Sequence, residues 1–188
     1  MNSGRKLWYI ALMAILRLTV LPGPGVFAQT PEAIQKKNMN PLSWMTGEWE
    51  GVAVAQMGPG RQDTIQMYES LKFNLDSTII QVEGIGYHIV NEIKQSGIYH
   101  HAIAVLSYDA AKMKYDWKAW RIPGGIYTEY SPEVNNNSFN WSMETPRGKM
   151  RYHIEFTVPD HWHETGEFSP AGNNWSPFFD MKLQKQHE

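Results

Sequence analysis

The stretch HWHETGEF, residues 161–168, contains the side chains best suited to chemistry. His161 and His163 lie two residues apart, so on a β-strand they would share one face and could hold a metal. Glu164 would point to the opposite face, among aromatic residues, where burial could make it an acid with a raised pKa. Because two histidines supply only half of a zinc site, we predict no metal here and favour Glu164 as the working residue.

The elements that must position these side chains are mostly strands. Turn signals rich in glycine, proline, asparagine and aspartate recur nine times between residues 58 and 173, which predicts about ten antiparallel strands. No segment has the helical periodicity of a crossover connection. Closing the sheet removes its edges, so we predict an all-β, up-and-down barrel over residues 47–186, with a two-sheet sandwich as the alternative.

The N-terminal residues have a different pattern. Arg5 and Lys6 precede an apolar run at residues 7–16, and small residues follow near Ala28, which predicts a signal peptide over residues 1–28. The run is too short to span a bilayer, although an uncleaved anchor is the alternative. Thr30 and Pro31 then predict the start of a short helix, so residues 29–46 would form a helix and a closing turn.

Charge and cysteine content limit the possible partners. The first 28 residues contain three basic and no acidic residues, so the remaining chain has fourteen basic and nineteen acidic residues and a net charge of −5. No long basic run exists, so binding to nucleic acid is not expected. The chain has no cysteine, hence no disulfide and no lipid attached through one. We expect a periplasmic or secreted protein without a stable membrane anchor after cleavage; the oligomeric state stays open.

The loop at residues 145–148 indicates which face of the last strands is interior. Pairing Glu144 with Lys149 sets Trp141 opposite Tyr152, so that apolar side chains meet. At Pro159, a three-residue loop turns Trp162, Glu164 and Phe168 inward and leaves His161 and His163 in water; a two-residue loop would do the reverse. We favour the first, because it buries two large aromatic rings. A loop at residues 170–173 would then pair Phe168 with Trp175 and Glu164 with Phe179.

The same reasoning applies to the loop at residues 109–112. Pairing Tyr108 with Met113 sets Ala104 opposite Trp117 and His100 opposite Arg121, although a loop one residue shorter would bring His101 inward instead. Glu69 shares a strand face with the apolar Ile65 and Met67.

Four polar side chains are therefore predicted to point into an aromatic interior: Glu69, His100, Arg121 and Glu164. One interpretation is an internal salt bridge between Arg121 and Glu69 or Glu164 that only stabilises the fold. The other is a polar anchor in an apolar pocket walled by Trp117, Trp141 and Tyr152. We predict all seven as ligand-binding residues.

The stretch LSWMTGEWEGVA, residues 42–53, resembles the opening of lipocalin-like (calycin) barrels, where a helical turn precedes Gly-x-Trp at the first strand. The segments LSYDAAKMKY and HWHETGEFSPAGNNWSPFFDMKL resemble an uncharacterised family of exported bacterial lipocalin-like domains. The resemblance implies a barrel in which Trp49 closes one end. A more distant similarity to nitrobindin-type haem barrels rests on Gly47, Trp49 and Gly51 alone and identifies no haem ligand.

Together these features predict an exported protein that binds a small, mostly apolar ligand in a barrel cavity with a polar anchor, and no cofactor is predicted. One alternative is an envelope enzyme of the isomerase, dehydratase or hydrolase type that uses an inward Glu/His pair. Another is a haem-binding barrel with His100 or His101 as the ligand. No nucleophile elbow, zinc-protease helix or phosphate loop supports a more definite enzyme class.

Overall fold

The structure is a computed structural model that describes residues 29–122 and 125–187. The predicted signal peptide lies outside the described residues and stays a prediction.

A short N-terminal helix, α1 (Pro31–Met39), is present as predicted. Thr30 caps it, because its hydroxyl accepts a hydrogen bond from the backbone N–H of Ala33 at 3.2 Å. A 3-10 helix, Asn40–Met45, follows directly. Neither helix could span a membrane, and the described residues contain no other.

Eleven strands make up the rest of the described chain. In chain order they are β1 (Gly47–Gly58), β2 (Arg61–Asn74), β3 (Ile79–Val90), β4 (Ile93–Asp109), β5 (Lys114–Ile122), β6 (Ile126–Tyr130), β7 (Glu133–Asn135), β8 (Ser138–Thr145), β9 (Gly148–Glu155), β10 (His161–Ser169) and β11 (Ser176–Gln186).

All eleven strands belong to one antiparallel sheet in the order β6-β5-β4-β3-β2-β1-β11-β10-β9-β8-β7. The all-β, up-and-down architecture is as predicted, and β1 pairs with β11, so the first and last strands are neighbours. The prediction of a closed barrel is wrong, because within the described residues no ladder joins β6 to β7 or β8, and the sheet forms a half-barrel.

The sheet has eleven strands rather than about ten for the same reason that the barrel is open between β6 and β8. A single strand over residues 126–135 would have bonded to β5 on one side and to β8 on the other. Instead β6 pairs with β5 and β7 pairs with β8, with Ser131 and Pro132 between them. Proline has no N–H to give to a ladder, so the chain breaks there and the strand that would close the barrel is divided between two edges.

The registers that determine the inner face are largely as predicted. Trp141 pairs with Tyr152 and Met143 with Met150 across β8 and β9. At the next hairpin His163 pairs with Glu155, so the connection is longer than three residues, but Trp162 and Glu164 still face inward and are buried.

Two further registers, of β5 against β4 and of β11 against β10, also differ from the predicted ones. Asp109 accepts hydrogen bonds from the N–H groups of Ala111 and Lys112, at 2.9 and 3.0 Å, and this moves the four-residue loop one position along the chain. Trp117 therefore pairs with Leu106, and Arg121 with Ala102.

The β10–β11 hairpin differs for another reason, a register shift between Gly166 and Glu167. Glu164 therefore pairs with Met181 rather than with Phe179, and Phe168 pairs with Ser176. Trp175, expected opposite Phe168, instead stacks under the guanidinium of Arg151, 4.2 Å from the ring centroid.

Helices and strands meet in the helix-capped cluster, which consists of Trp44, Trp49, Phe156 and Trp162. Trp49 packs edge-on against Phe156 and Trp162, with ring centroids 5.4 and 5.8 Å apart. Its indole N–H donates to the carbonyl of Met45 at 2.9 Å. Trp49 thereby fixes the 3-10 helix to the sheet and closes this end of the half-barrel.

Candidate functional site

The two histidines of HWHETGEF lie on the outer face of β10. His161 is exposed, and the ring of His163 lies between Glu155 and Asp180, with its Nε2 3.0 Å from Asp180 Oδ2. Within the described chain no group of three or more His, Cys, Asp or Glu side chains is arranged to hold a metal ion. His163 therefore acts in cross-strand pairs of the outer surface.

Glu164 faces the interior and is only 8% exposed. The alternation of β10 places it between Trp162 and Gly166, both buried. Its cross-strand neighbours are Ile154 on β9 and Met181 on β11, so its carboxyl group enters an apolar layer.

Glu69 lies on β2, separated from β10 in the sheet by β1 and β11, and its carboxyl group is close enough to Glu164 to be affected by its charge. The residue as a whole is half-buried, but its carboxyl group lies over Gly84 on the adjacent strand β3. A Cβ atom at position 84 would lie 2.5 Å from Glu69 Oε1, so only glycine leaves room for this carboxyl. The backbone of β3 is thus shaped around the acid.

Among the described residues, no cation forms an ion pair with either carboxyl group. Burial, followed by repulsion from Glu164, raises the pKa of Glu69 to about 8. Burial also raises the pKa of Glu164 to about 8, against an opposing effect of the nearby Trp162 indole. At neutral pH both groups are mostly neutral acids, which is how a buried carboxyl without a partner avoids the cost of its charge.

Arg121, predicted to point inward and to pair with one of these acids, is exposed. It forms no ion pair with Glu69 or Glu164 among the described residues, so the internal salt-bridge interpretation is wrong. The row of paired residues Glu69, Gly84, Ala102 and Arg121 crosses β2 to β5, so Arg121 lies at the far end of that row. Four strands at about 4.8 Å spacing separate the two backbones by roughly 14 Å.

His100 and His101, the candidates for an acid, a base or a haem ligand, point to opposite faces of the sheet. His101 faces outward, with its Nε2 2.8 Å from Glu83 Oε1. His100 faces inward beside Gly86, and burial, then Arg121 and His101, lower its pKa. Neither glutamate contributes to that shift, so the predicted Glu/His pair does not form; the pair that forms is Glu69 with Glu164.

Two indole N–H groups are also buried without a partner. Trp162 Nε1 and Trp117 Nε1 make no hydrogen bond of normal geometry within the described structure. A buried donor without an acceptor costs about 1–3 kcal/mol. Trp162 is close enough to Glu164 to favour its charged form. The interior therefore contains donors and acids whose hydrogen-bonding capacity is not used.

The predicted wall residues Trp117, Trp141 and Tyr152 assemble with Tyr130 into a stack, which we call the aromatic column. Adjacent ring centroids are 6.3, 4.7 and 4.0 Å apart, and the ring planes differ by 19°, 8° and 12°. The column crosses the opening between β6 and β8, where backbone hydrogen bonding is missing. All four residues are half-exposed.

Tyr130 was missed from the sequence. Residues 126–130 alternate without a clearly apolar face, so no pattern assigns Tyr130 inward. The structure places it between Trp117 and Trp141. Burial and then Glu164 raise the pKa values of Tyr130 and Tyr152, which places both phenols near the acid.

Two surface cavities lie outside this arrangement. One of about 780 Å³ lies between the 3-10 helix, the β7–β8 hairpin and the outer face of β9. The other, about 430 Å³, follows β8 to β10 and borders Trp141 and Tyr152. Neither is lined by Glu69 or Glu164, so the candidate site is defined by the inward-facing acids rather than by these surface cavities.

Comparisons with known proteins agree with the fold. No family model matches the sequence, and no curated protein matches it significantly. The structure is similar to Rv2717c from M. tuberculosis, with a TM-score of 0.57 and 10% identity over 79% of this chain and 97% of that one. It is also similar to the S-type phycobiliprotein lyase CpeS from Guillardia theta, with a TM-score of 0.50 and 12% identity over 85% of this chain and 99% of that one.

Both similar structures have calycin/lipocalin-like barrel folds. At such low identities the similarity is one of fold. The chain thus has a calycin/lipocalin-like architecture, here with an open ladder and a buried pair of acids.

Proposed function

We propose that this protein is an exported binding protein that holds a small, mostly apolar ligand on the concave side of its half-barrel. Glu69 and Glu164 form the polar anchor, and the aromatic column forms the flat wall. Sites of this kind combine an apolar lining with a few converging polar groups.

The observation that carries the proposal is the pair of buried acids without a cation. A purely structural network would give each buried charge a partner, as ion pairs elsewhere in this chain do on the surface. Instead, among the described residues, two carboxyls lie inside without an ion-pair partner, and two indole N–H groups have no hydrogen-bond partner of normal geometry. A ligand with a polar end would satisfy them.

The side chains facing the acids support space for a ligand. Small residues occupy inward positions on β4 and β5, where a packed core would have large ones: Ala102, Ala104 and Ala119. The partly exposed aromatic column forms a flat wall on the concave side, and these small residues take up little space on the wall that faces it.

Tryptophan fluorescence tests the proposal directly. We expect saturable quenching when the full-length protein is titrated with members of a panel of fatty acids, isoprenoids, aromatic amines and tetrapyrroles. Trp141→Ala should weaken the binding of any active ligand, whereas the outer-face variant His163→Ala should not. A panel without a saturable response, or equal losses in both variants, would contradict the proposal.

Export is the second part of the proposal, and it rests on residues 1–28 alone. Fusing these residues to a β-lactamase that acts only outside the cytoplasm should confer ampicillin resistance on a bacterial host. Replacing Ala14 and Leu16 by Arg should abolish that resistance, because charges disrupt the apolar region. Sensitivity of the wild-type fusion would overturn the export proposal and leave ligand binding untouched.

A further inference from the structure

We propose that the ligand carries a positively charged nitrogen on a flat, apolar body, and that Glu69 and Glu164 bind this nitrogen between them. The inference rests on the proposed ligand-binding function and specifies the class of ligand.

The charged and titratable groups around the acids argue against a negatively charged ligand. The titratable groups that face the interior are the two glutamates, His100 on β4, Arg121 on β5, Tyr130 on β6 and Tyr152 on β9. Further along β2 and β3 lie Asp63 and His88, and Asp63 also accepts a hydrogen bond from the Tyr99 hydroxyl. Of the cations among the described residues here, Arg121 is exposed and Arg61 pairs with Asp63. An anion placed beside the acids would meet no opposite charge there.

A cation changes the state of the pair. Without one, the loss of water raises the pKa of both carboxyls, and repulsion from Glu164 adds to the shift at Glu69. A positive nitrogen within about 4 Å of both would favour their ionised forms and replace the repulsion with two attractions. Each carboxyl that ionises releases one proton to solvent, and no other reactant is needed.

Trp162 supplies an independent indication. Its residue is 4% exposed and its N–H has no hydrogen-bond partner, yet it lies near Glu164 and favours the charged form of that carboxyl. A neutral carboxyl can accept a hydrogen bond from this donor through its carbonyl oxygen, and a carboxylate accepts a stronger one. Ionisation of Glu164, which a cationic ligand would favour, would therefore strengthen its contact with Trp162.

The aromatic column suits the rest of such a ligand. Tyrosine and tryptophan rings attract cations through their electron-rich faces, most strongly where water is excluded. Flat apolar bodies stack on such rings. Tyr130 and Tyr152 also lie near Glu164, so one molecule could contact both the acid and the column.

Three naphthalene probes of one shape test the inference: the quaternary trimethylammonium-methyl compound, 1-naphthalenemethanol and 1-naphthaleneacetate. None of them titrates between about pH 6.5 and pH 8.5, so any pH dependence belongs to the protein. Binding to the full-length protein is measured by isothermal titration calorimetry. We expect the cation to bind at least about tenfold more tightly than the alcohol at pH 7.5, equivalent to about 1.4 kcal/mol, and the anion to bind most weakly.

The pH dependence and the proton count sharpen the test. The affinity of the cation should rise with pH, because it binds the deprotonated pair, while the affinity of the alcohol should not rise. Heats measured in buffers of different ionisation enthalpy should show proton release for the cation alone. Equal affinity of cation and alcohol, or no proton release, would overturn the charge inference.

Variants assign the effect to the pair. Glu69→Gln and Glu164→Gln keep the shape but remove the charge, so each should reduce the preference for the cation over the alcohol to less than about threefold. Glu83→Gln, on the outer face of β3, is the matched control and should change nothing. Thermal unfolding checks that each variant is folded. Alcohol binding without cation preference leaves the proposed function standing, whereas no binding of any probe contradicts both proposals.

Discussion

The helix-capped cluster and the aromatic column each contain four aromatic residues, but they pack in opposite ways. In the cluster the rings of Trp49, Phe156 and Trp162 meet at steep angles of 68° and 82° and are almost wholly buried. In the column the planes of adjacent rings differ by at most 19°, and every member is half-exposed.

The difference follows from what each group packs against. The cluster is covered by α1 and the 3-10 helix, and edge-to-face contacts interlock rings in three dimensions until no space remains. The column spans the opening between β6 and β8, where no backbone hydrogen bonds join the strands of the described chain. There the nearly parallel rings form a flat wall. One group of rings therefore stabilises the fold, and the other presents a surface, with Glu69 and Glu164 lying between them.

The largest test removes one ring from each group. Trp49→Ala should lower the free energy of unfolding by about 3–5 kcal/mol, because it leaves a cavity and frees the Met45 carbonyl. Trp141→Ala should cost less than half as much, since part of that ring already contacts water. Urea denaturation measures both, and equal losses would show that the two groups do not differ in role.

Filling the space beside Glu69 should have the next largest effect. Gly84→Ala places a Cβ where the carboxyl lies and should cost about 2 kcal/mol and weaken ligand binding. Gly97→Ala is the matched control, because nothing lies within 4 Å of its added Cβ. Combining Gly84→Ala with Glu69→Ala should recover most of the stability; a double variant no better than Gly84→Ala would show that the carboxyl is not what the methyl displaces.

The acids also predict how stability depends on pH. Both have pKa values near 8 in the folded protein, against an ordinary value of 4.5, so the folded state retains protons that the unfolded state has lost. Their contribution is complete below about pH 4.5 and is lost as pH rises through about 8.

We therefore expect unfolding free energies to fall with pH in this window, by at most about 1.4 kcal/mol per pH unit for each carboxyl. Denaturation curves from pH 5 to pH 8 measure the slope. The double variant Glu69→Gln, Glu164→Gln should flatten it, and an unchanged slope would mean that other groups are responsible.

The smallest expected effect belongs to the residue next to Glu164 on the opposite face. His163→Ala removes outer contacts to Glu155 and Asp180 and should cost less than about 1 kcal/mol, as exposed pairs usually do. It should leave ligand binding unchanged. A larger loss, or weaker binding, would indicate that the two faces of β10 are not independent.

Much of the architecture was predictable because it is local. Thr30 and Pro31 start α1, the Pro146-Arg147 turn pairs Trp141 with Tyr152, and the alternation of β10 turns Glu164 inward. These features depend on residues a few positions apart. Two of the registers that were wrong changed through the hydrogen bonds that the Asp109 side chain accepts and through a bulge after Gly166, which shift the pairing by one or two residues.

The sequence by itself determined which residues alternate, where most turns fall and which strand faces are apolar, since period-two patterning and turn residues act over short distances. Only the tertiary structure decided that Ser131 and Pro132 divide the closing strand, that Arg121 is exposed at the end of its row, and that the Glu69 carboxyl lies over Gly84 and near Glu164. Whether a charged side chain has a partner depends on which strands, distant in sequence, come together in space. No single segment of the chain determines that arrangement.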